Sequence, residues 1–585
     1  RPRDLGGHRG AAVSLRWIRV LLGLLCAGLL AGCATVPSES PVQVLRKVTE
    51  GEGPALPPGP GTNANPLDLV RGFVNASGSS ENHHAAARRF LTSGAQSWDD
   101  AASLTVLAEQ FDTVYARPPG DGTRAVVRLR GSQIGRRGLD GSFMQAEAPV
   151  EVDIQVAKEG DQWRIDGPPS GTIVRLSDFQ ANYKAVRTYF MDPVQDSPVP
   201  DLRYLPANPS RTMPSRMVDA LLAGPSDALA GAATSAIPRT AHLRSNVAET
   251  PDGAVIVDLT ELGDLDDSRR RLLAAQVALS LAEVNVNRVR LLDDGAPMLP
   301  DHPIVTRETF ADLAGADDPR PDVAGLVVVG GKIRTLTATG LGDPLAGPPG
   351  TSGFDLLSAT LSADGQRLAV VNRSAGRTLL VGRVGLPLMP SAVQGSTLTR
   401  PTWTPSGNEV WTVRNGTSVI RIVLDQSGRP SVQPVDDSAL TALGQLSDLR
   451  LSRDGMRVAA IADGMLAVGA VARSPAGAVT IRNVRMLLPT KLIALVAVDW
   501  RAADQIAVAG RRPENAVALV SVDGLDLHPL PTNNLTPPLS AIATGPGRPL
   551  LVTDQNGLWS FGADDLGSWR QIAGGAASSV AGFPG

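Results

Sequence analysis

The chain has 585 residues, 43% of them hydrophobic, 19% charged and 4% aromatic, with two cysteines and a formal net charge of −3. That composition excludes a disordered or fibrous chain, and the length exceeds one domain, so three or four units with cores of their own are expected at about 100–200 residues each. Residues 1–32 hold five of the 55 basic residues and one of the 58 acidic, leaving 50 basic against 57 acidic and a net of −7, without the basic footprint of a nucleic-acid-binding protein.

Residues 1–32 read as a secretory leader: five arginines up to Arg19, an apolar run from Val20, and small residues at the exit. The apolar run is too short to span a bilayer, which needs about 20 residues. The exit reads Leu30, Ala31, Gly32, Cys33, the pattern of a bacterial lipobox. Ala31 and Gly32 are small enough to let a peptidase cut before Cys33 once the Cys33 thiol carries a diacylglyceryl group. The freed amine is then acylated, with palmitate expected there. Several acyl chains at about 0.8 kcal/mol per buried methylene give a firm anchor on the outer face of the cell membrane. Cys26 leaves with the leader, so the mature chain has no thiol for a disulfide and its domains stand on their cores. Residues 33–65 are rich in Pro, Gly, Ser and Glu and read as a lipid-anchored disordered tether.

An α+β domain is expected over 66–180. Leu67, Val70 and Val74, then Ala86, Arg89 and Phe90, fit helical spacing, and "DTVYARP", "RAVVRLRG", "VEVDIQVAKEG" and "QWRID" follow as an antiparallel meander wrapping the helices. His83 and His84 have no Cys, Asp or Glu at zinc-site spacing, so an exposed loop or helix start is the expectation. A compact αβ domain is expected over 186–310. In it a helix with Met217, Ala220 and Leu221 on one face ends at Gly224 and Pro225, "GAVIVDLT" and "VNRVRLLDDG" are strands, and a second helix turns Leu272, Ala275 and Leu279 inward.

Residues 320–585 are expected to form an all-β propeller. Five cassettes of a Gly- or Asp-bearing turn and an apolar strand align at Leu368, Val410, Val458, Ile506 and Leu550, with steps of 42, 48, 48 and 44 residues. Blades packed in a ring cover one another and leave only short, protected edges. A strand pair at 323–338 either completes a five-bladed ring or adds a sixth blade. Asp364 and Asp454, each before a Gly, are expected to shape turns. Trp403, at the start of a repeat, is expected between blades.

The lipobox, "ARRFLTSGAQSW", "DFQANYKAVRTYFMDP" with "VPDLRYLP", "LLAGPS" with "VIVDLT", and the propeller together resemble the actinobacterial lipoprotein LpqB family along almost the whole chain. Residues 186–310 resemble the GerMN domain of that family. The resemblance implies an accessory of the MtrA and MtrB two-component system that acts on the extracytoplasmic part of an MtrB-like sensor kinase, with effects on envelope homeostasis and division. No cofactor or metal is expected. An enzyme is not expected, since the six histidines accompany no G-x-S-x-G, H-E-x-x-H or Walker motif. Two alternatives stay open: a module sensing cell-wall glycans or peptides, and a cell-wall hydrolase with a site gathered across blades. On the kinase reading, residues 66–310 anchored through Cys33 are expected to keep some association without the propeller, and a released protein to lose most regulation, because the anchor confines both partners to one surface.

Overall fold

The computed structural model describes residues 57–120, 122–314, 322–351, 353–374, 376–562 and 567–585. Leu30, Ala31, Gly32, Cys33 and the tether up to residue 56 lie outside the described residues. Asn65 starts helix α1 (Pro66–Ala76): its side chain accepts the Asp68 N–H at 2.9 Å, and Pro66 fills a position that needs no donor. Leu69, Val70, Phe73 and Val74 of α1 are buried, and Leu67 is half-buried. The second helical stretch, α2 (Glu81–Arg88), is irregular, because Asn82, His83 and His84 take left-handed φ values of 45°, 56° and 54°. Helical spacing fails beyond it: Arg89 is exposed, while Phe90 lies past the helix and is still buried. Residue 57 contacts this stretch, its carbonyl accepting from Arg89 at 3.3 Å.

Strands β1 (Leu104–Arg117), β2 (Arg124–Arg137), β3 (Phe143–Glu159) and β4 (Gln162–Gly167) form the meander, and β5 (Thr172–Arg175) adds parallel to β1, giving the order β4-β3-β2-β1-β5. Ala125, Val127, Leu129, Ile154 and Val156 alternate inward onto α1. A short helix, α3 (Leu176–Asn182), leads into the hairpin β6 (Tyr183–Met191) and β7 (Pro198–Pro206). Helix α4 (Met213–Leu222) buries Met217, Ala220 and Leu221, and Gly224 follows it at φ 84°, a conformation favoured by glycine. Helix α5 (Asp267–Ala282) departs from its expected stripe. Residues 273–281 are buried without a break and Leu272 is only half-buried, because α4, β6 and a strand at Val289–Asp293 pack around the helix. That strand pairs parallel with Val255–Thr260.

Among the described residues the propeller has six four-stranded sheets. The strands at 326–329 and 332–336 belong to a sixth blade, and that same blade closes the ring. Leu326–Val329, Lys332–Leu336 and Leu341–Pro344 are joined by Val580–Gly582 as the innermost strand, Val327 opposite Ala581. Counting this blade as the first, the innermost strands of blades 2–6 are Leu356–Leu361, Thr402–Trp403, Leu446–Leu451, Leu495–Ala502 and Ala541–Ala543. Leu368, Val410, Val458, Ile506 and Leu550 all sit buried on second strands. Trp403, 1% exposed, donates its indole N–H to Thr360 O of blade 2 at 3.2 Å, and Trp500 of blade 5 does the same to Arg450 O of blade 4 at 3.1 Å. Asp364 and Asp454 shape their turns by accepting the N–H of Gln366 and Met456 at 3.0 and 2.8 Å.

Candidate functional site

None of the sequence-derived site residues is among the described ones, since Cys33 and the three residues before it precede residue 57. Of the histidine pair, His83 is exposed and His84 is not. His84 is 6% exposed, its Nδ1 lies 3.0 Å from Ser77 O, and the Trp98 ring is 6.1 Å away. Burial pushes the imidazole below its ordinary pKa, which fits a neutral core residue. The expectation of an exposed pair fails for His84 because the left-handed turn folds it back onto the α1 core. Among the described residues, no group of three or more His, Cys, Asp or Glu is placed to hold a metal ion.

The innermost strands of the propeller carry a buried ionic network. Arg400 pairs with Asp499 at 3.0 Å and also donates to Ala581 O at 2.5 Å. Arg450 donates to the carbonyls of Arg400 and Pro401 at 2.9 and 2.6 Å and lies 3.5 Å from Asp448. Asp448 accepts the Val498 N–H at 3.1 Å, and Asp499 accepts the Thr544 N–H at 3.2 Å. Five blades are thereby tied together by two arginines and two aspartates. Burial, with some help from Asp499, pushes the Asp448 carboxyl up to about 7 against the pull of Arg400. A hydrolase needs a carboxylate that can face a substrate, and these face arginines and backbone N–H groups.

The second polar centre lies where the N-terminal sheet, the αβ domain and the propeller meet. Arg203, 0% exposed, pairs with Asp140 of the β2–β3 turn, with Asp201 at 2.8 Å and with Gly224 O at 2.9 Å. Asp201 also accepts the N–H and hydroxyl of Ser226 at 2.8 and 2.9 Å. Arg457, from the turn ending the innermost strand of blade 4, donates to Pro200 O at 2.6 Å and pairs with Asp454 at 3.2 Å. Apolar contacts cross the same seam: Met456 and Ala470 join the αβ core, and Leu525 joins Phe143, Phe179 and Tyr204. Between them is a cavity of about 30 Å³ lined by Asp201, Arg457, Arg485 and Asp523, and Arg485 Nε and Asp523 Oδ2 have no hydrogen-bond partner. It has room for a water or two and for nothing larger. The signal for this centre was present in "VPDLRYLP", where Asp201 and Arg203 interrupt an otherwise apolar strand; the partners from the other two regions, Asp140 and Arg457, were not.

The comparisons with known proteins follow the same three divisions. The model of the lipoprotein LpqB N-terminal domain matches residues 59–180, that of sporulation and spore germination 187–299, and that of the lipoprotein LpqB beta-propeller domain 333–584. Lipoprotein LpqB of Nocardia farcinica is 32% identical to this chain over 98% of both. The chain belongs to the lipoprotein LpqB family. LpqB of Mycolicibacterium smegmatis is also 32% identical, covering 94% of this chain and 97% of the relative, and LpqB of Mycobacterium leprae is 31% identical over 96% and 98%. Among the described residues no helix is long and apolar enough to cross a membrane. In this LpqB-family chain the junction therefore joins the three matched regions, and the ionic network lies within the propeller region.

Proposed function

We propose that this chain is a lipoprotein tethered through Cys33 to the outer face of the cell membrane, where it acts by binding, as an accessory of a two-component sensor kinase of the MtrB type working with MtrA. The observation that carries the reading is the likeness to lipoprotein LpqB over 98% of the chain, a span that takes in the Leu30, Ala31, Gly32, Cys33 exit. In this reading the peptidase cuts between Gly32 and Cys33, the thiol carries the diacylglyceryl group, and the new amine carries palmitate. The anchor keeps the chain and a membrane-bound kinase on one surface, so a weak affinity suffices.

Mass spectrometry of the mature N-terminus is expected to show lipidated Cys33, and Cys33→Ala to leave the chain uncleaved or released, because a methyl side chain cannot form the thioether. An unlipidated wild-type Cys33 sinks the anchor. Association is tested by capturing the kinase ectodomain on the whole chain from Cys33 onward, with a signalling reporter in cells carrying Cys33→Ala. No capture, or full signalling without the anchor, refutes the kinase reading.

A further inference from the structure

The two ends of the propeller differ. At the end where the innermost strands finish, the turns of blades 4 and 5 hold the other two domains, through Arg457 to Pro200 and Asp526 to Gln180 at 2.9 Å. At the opposite end, where the innermost strands begin, a cleft of about 580 Å³ crosses blades 2 to 5. That volume is in the range of ligand pockets. Its polar lining comprises Arg377, Thr397, Thr399, Gln445, Ser447, Asp463 and Arg511. The side chains of Arg377, Thr397, Gln445, Ser447 and Arg511 make no hydrogen bond to any described residue. Among the buried arginines of the ring, Arg400, Arg421, Arg450, Arg457 and Arg473 each face a carboxylate.

The walls are rigid. The Gln445 N–H donates to Asp463 Oδ1 at 2.9 Å, and the backbone runs Leu446 N–H to Gly416 O at 2.8 Å, Leu495 N–H to Gly464 O at 2.8 Å and Arg511 N–H to Ala494 O at 3.0 Å, linking blades 3, 4 and 5 in series. Ala494 holds a φ of 58°, strained for a residue with a Cβ. A rigid cleft needs little ordering when a ligand arrives.

We propose that this cleft binds an acidic peptide segment of a partner protein, with Arg377 and Arg511 receiving its carboxylates and Thr397, Ser447 and Gln445 donating hydrogen bonds. The cations set the sign of the ligand. Asp463, the cleft's one carboxylate, already accepts a backbone N–H and leaves the cations in excess. Guanidinium groups grip carboxylates through paired N–H donors. The lining offers no aromatic face on which a sugar ring could lie, which favours a peptide over an acidic glycan. This inference goes beyond the anchor and kinase reading and does not depend on it.

The test uses the whole chain from Cys33 onward in detergent, with fluorescein-labelled octaglutamate as probe and octaglutamine and tetragalacturonate as competitors. Octaglutamate is expected to bind, more weakly as salt rises, and octaglutamine not to displace it. Arg377→Gln with Arg511→Gln is expected to lower affinity at least tenfold with the melting temperature unchanged, since neither guanidinium holds the fold together. The lysine pair is expected to keep most of the affinity, and Arg501→Gln, on the opposite end, all of it. Unchanged affinity in the glutamine pair, no binding by the wild type, or tighter binding of tetragalacturonate than of the peptide overturns the proposal, the last in favour of a glycan.

Discussion

Trp403 shows how one side chain joins two blades: its ring fills the space between the second and third, and its N–H ends on Thr360 O, so neither the apolar nor the polar part is left over. Trp403→Ala is expected to lower unfolding free energy by about 3–5 kcal/mol, measured by denaturant unfolding. A variant as stable as the wild type that had lost only partner binding would refute the packing role. Asp448 gives a pH signature. Its pKa is raised by burial from about 3.9 in the unfolded chain to about 7. The protonated form is the one the fold prefers, so the stability this group supports is full below about pH 4 and is lost as pH rises to about 7. Asp448→Asn mimics the protonated form and is expected to shrink the fall in melting temperature between pH 5 and pH 8. An equal fall in variant and wild type would show that Asp448 stays ionised throughout.

At the scale of the element, the strand Val580–Gly582 carries more than its three residues suggest. It pairs with Leu326–Val329, and its Ala581 carbonyl receives Arg400. Removing residues 579–585 is expected to speed amide exchange over Leu326–Leu336 by orders of magnitude and to broaden the unfolding transition; protection unchanged there would mean the ring holds without it. The same strand marks the limit of what the sequence discloses. Blades 2–6 were legible because each repeats its turn and second strand locally, with Leu368, Val410, Val458, Ile506 and Leu550 in step. The first blade was ambiguous because its innermost strand is made elsewhere in the chain, and pairing over such a distance leaves no local trace. β5 was missed for being four residues long, and the inward stripe of α5 was too narrow because a helix enclosed by α4, β6 and a neighbouring strand has no solvent face to contrast with it. The Arg400–Asp499 pair was invisible in sequence for the same reason of distance, although "DWRAADQIAVA" did contain Asp499.

At the scale of the whole molecule, the junction decides whether the domains act separately. Met456 and Ala470 of the propeller lie in the αβ core, so a fragment of 66–310 would uncover that surface, and the expectation that it carries kinase association alone is better tested on the intact chain. Arg203→Met removes the cation facing Asp140 and Asp201 and leaves two carboxylates at the seam. A loss of about 3–5 kcal/mol is expected, as when one partner of a buried ion pair is deleted. Calorimetry should then resolve separate transitions for the propeller and the remaining domains, and limited proteolysis should cut between them. A single transition at the wild-type temperature would mean that the apolar contacts alone hold the seam.

The pairing of Val327 with Ala581 also sets a timetable. A chain made from its N-terminal end delivers Val327 254 residues before the strand that completes its sheet. Until then the first blade presents an open edge, and such edges recruit other strands. Contacts this far apart in sequence form slowly. The biosynthesis of this protein therefore includes an interval in which a nearly complete ring waits unlatched, and any chain that stops short of residue 580 remains in that state, recognisable to chaperones and proteases.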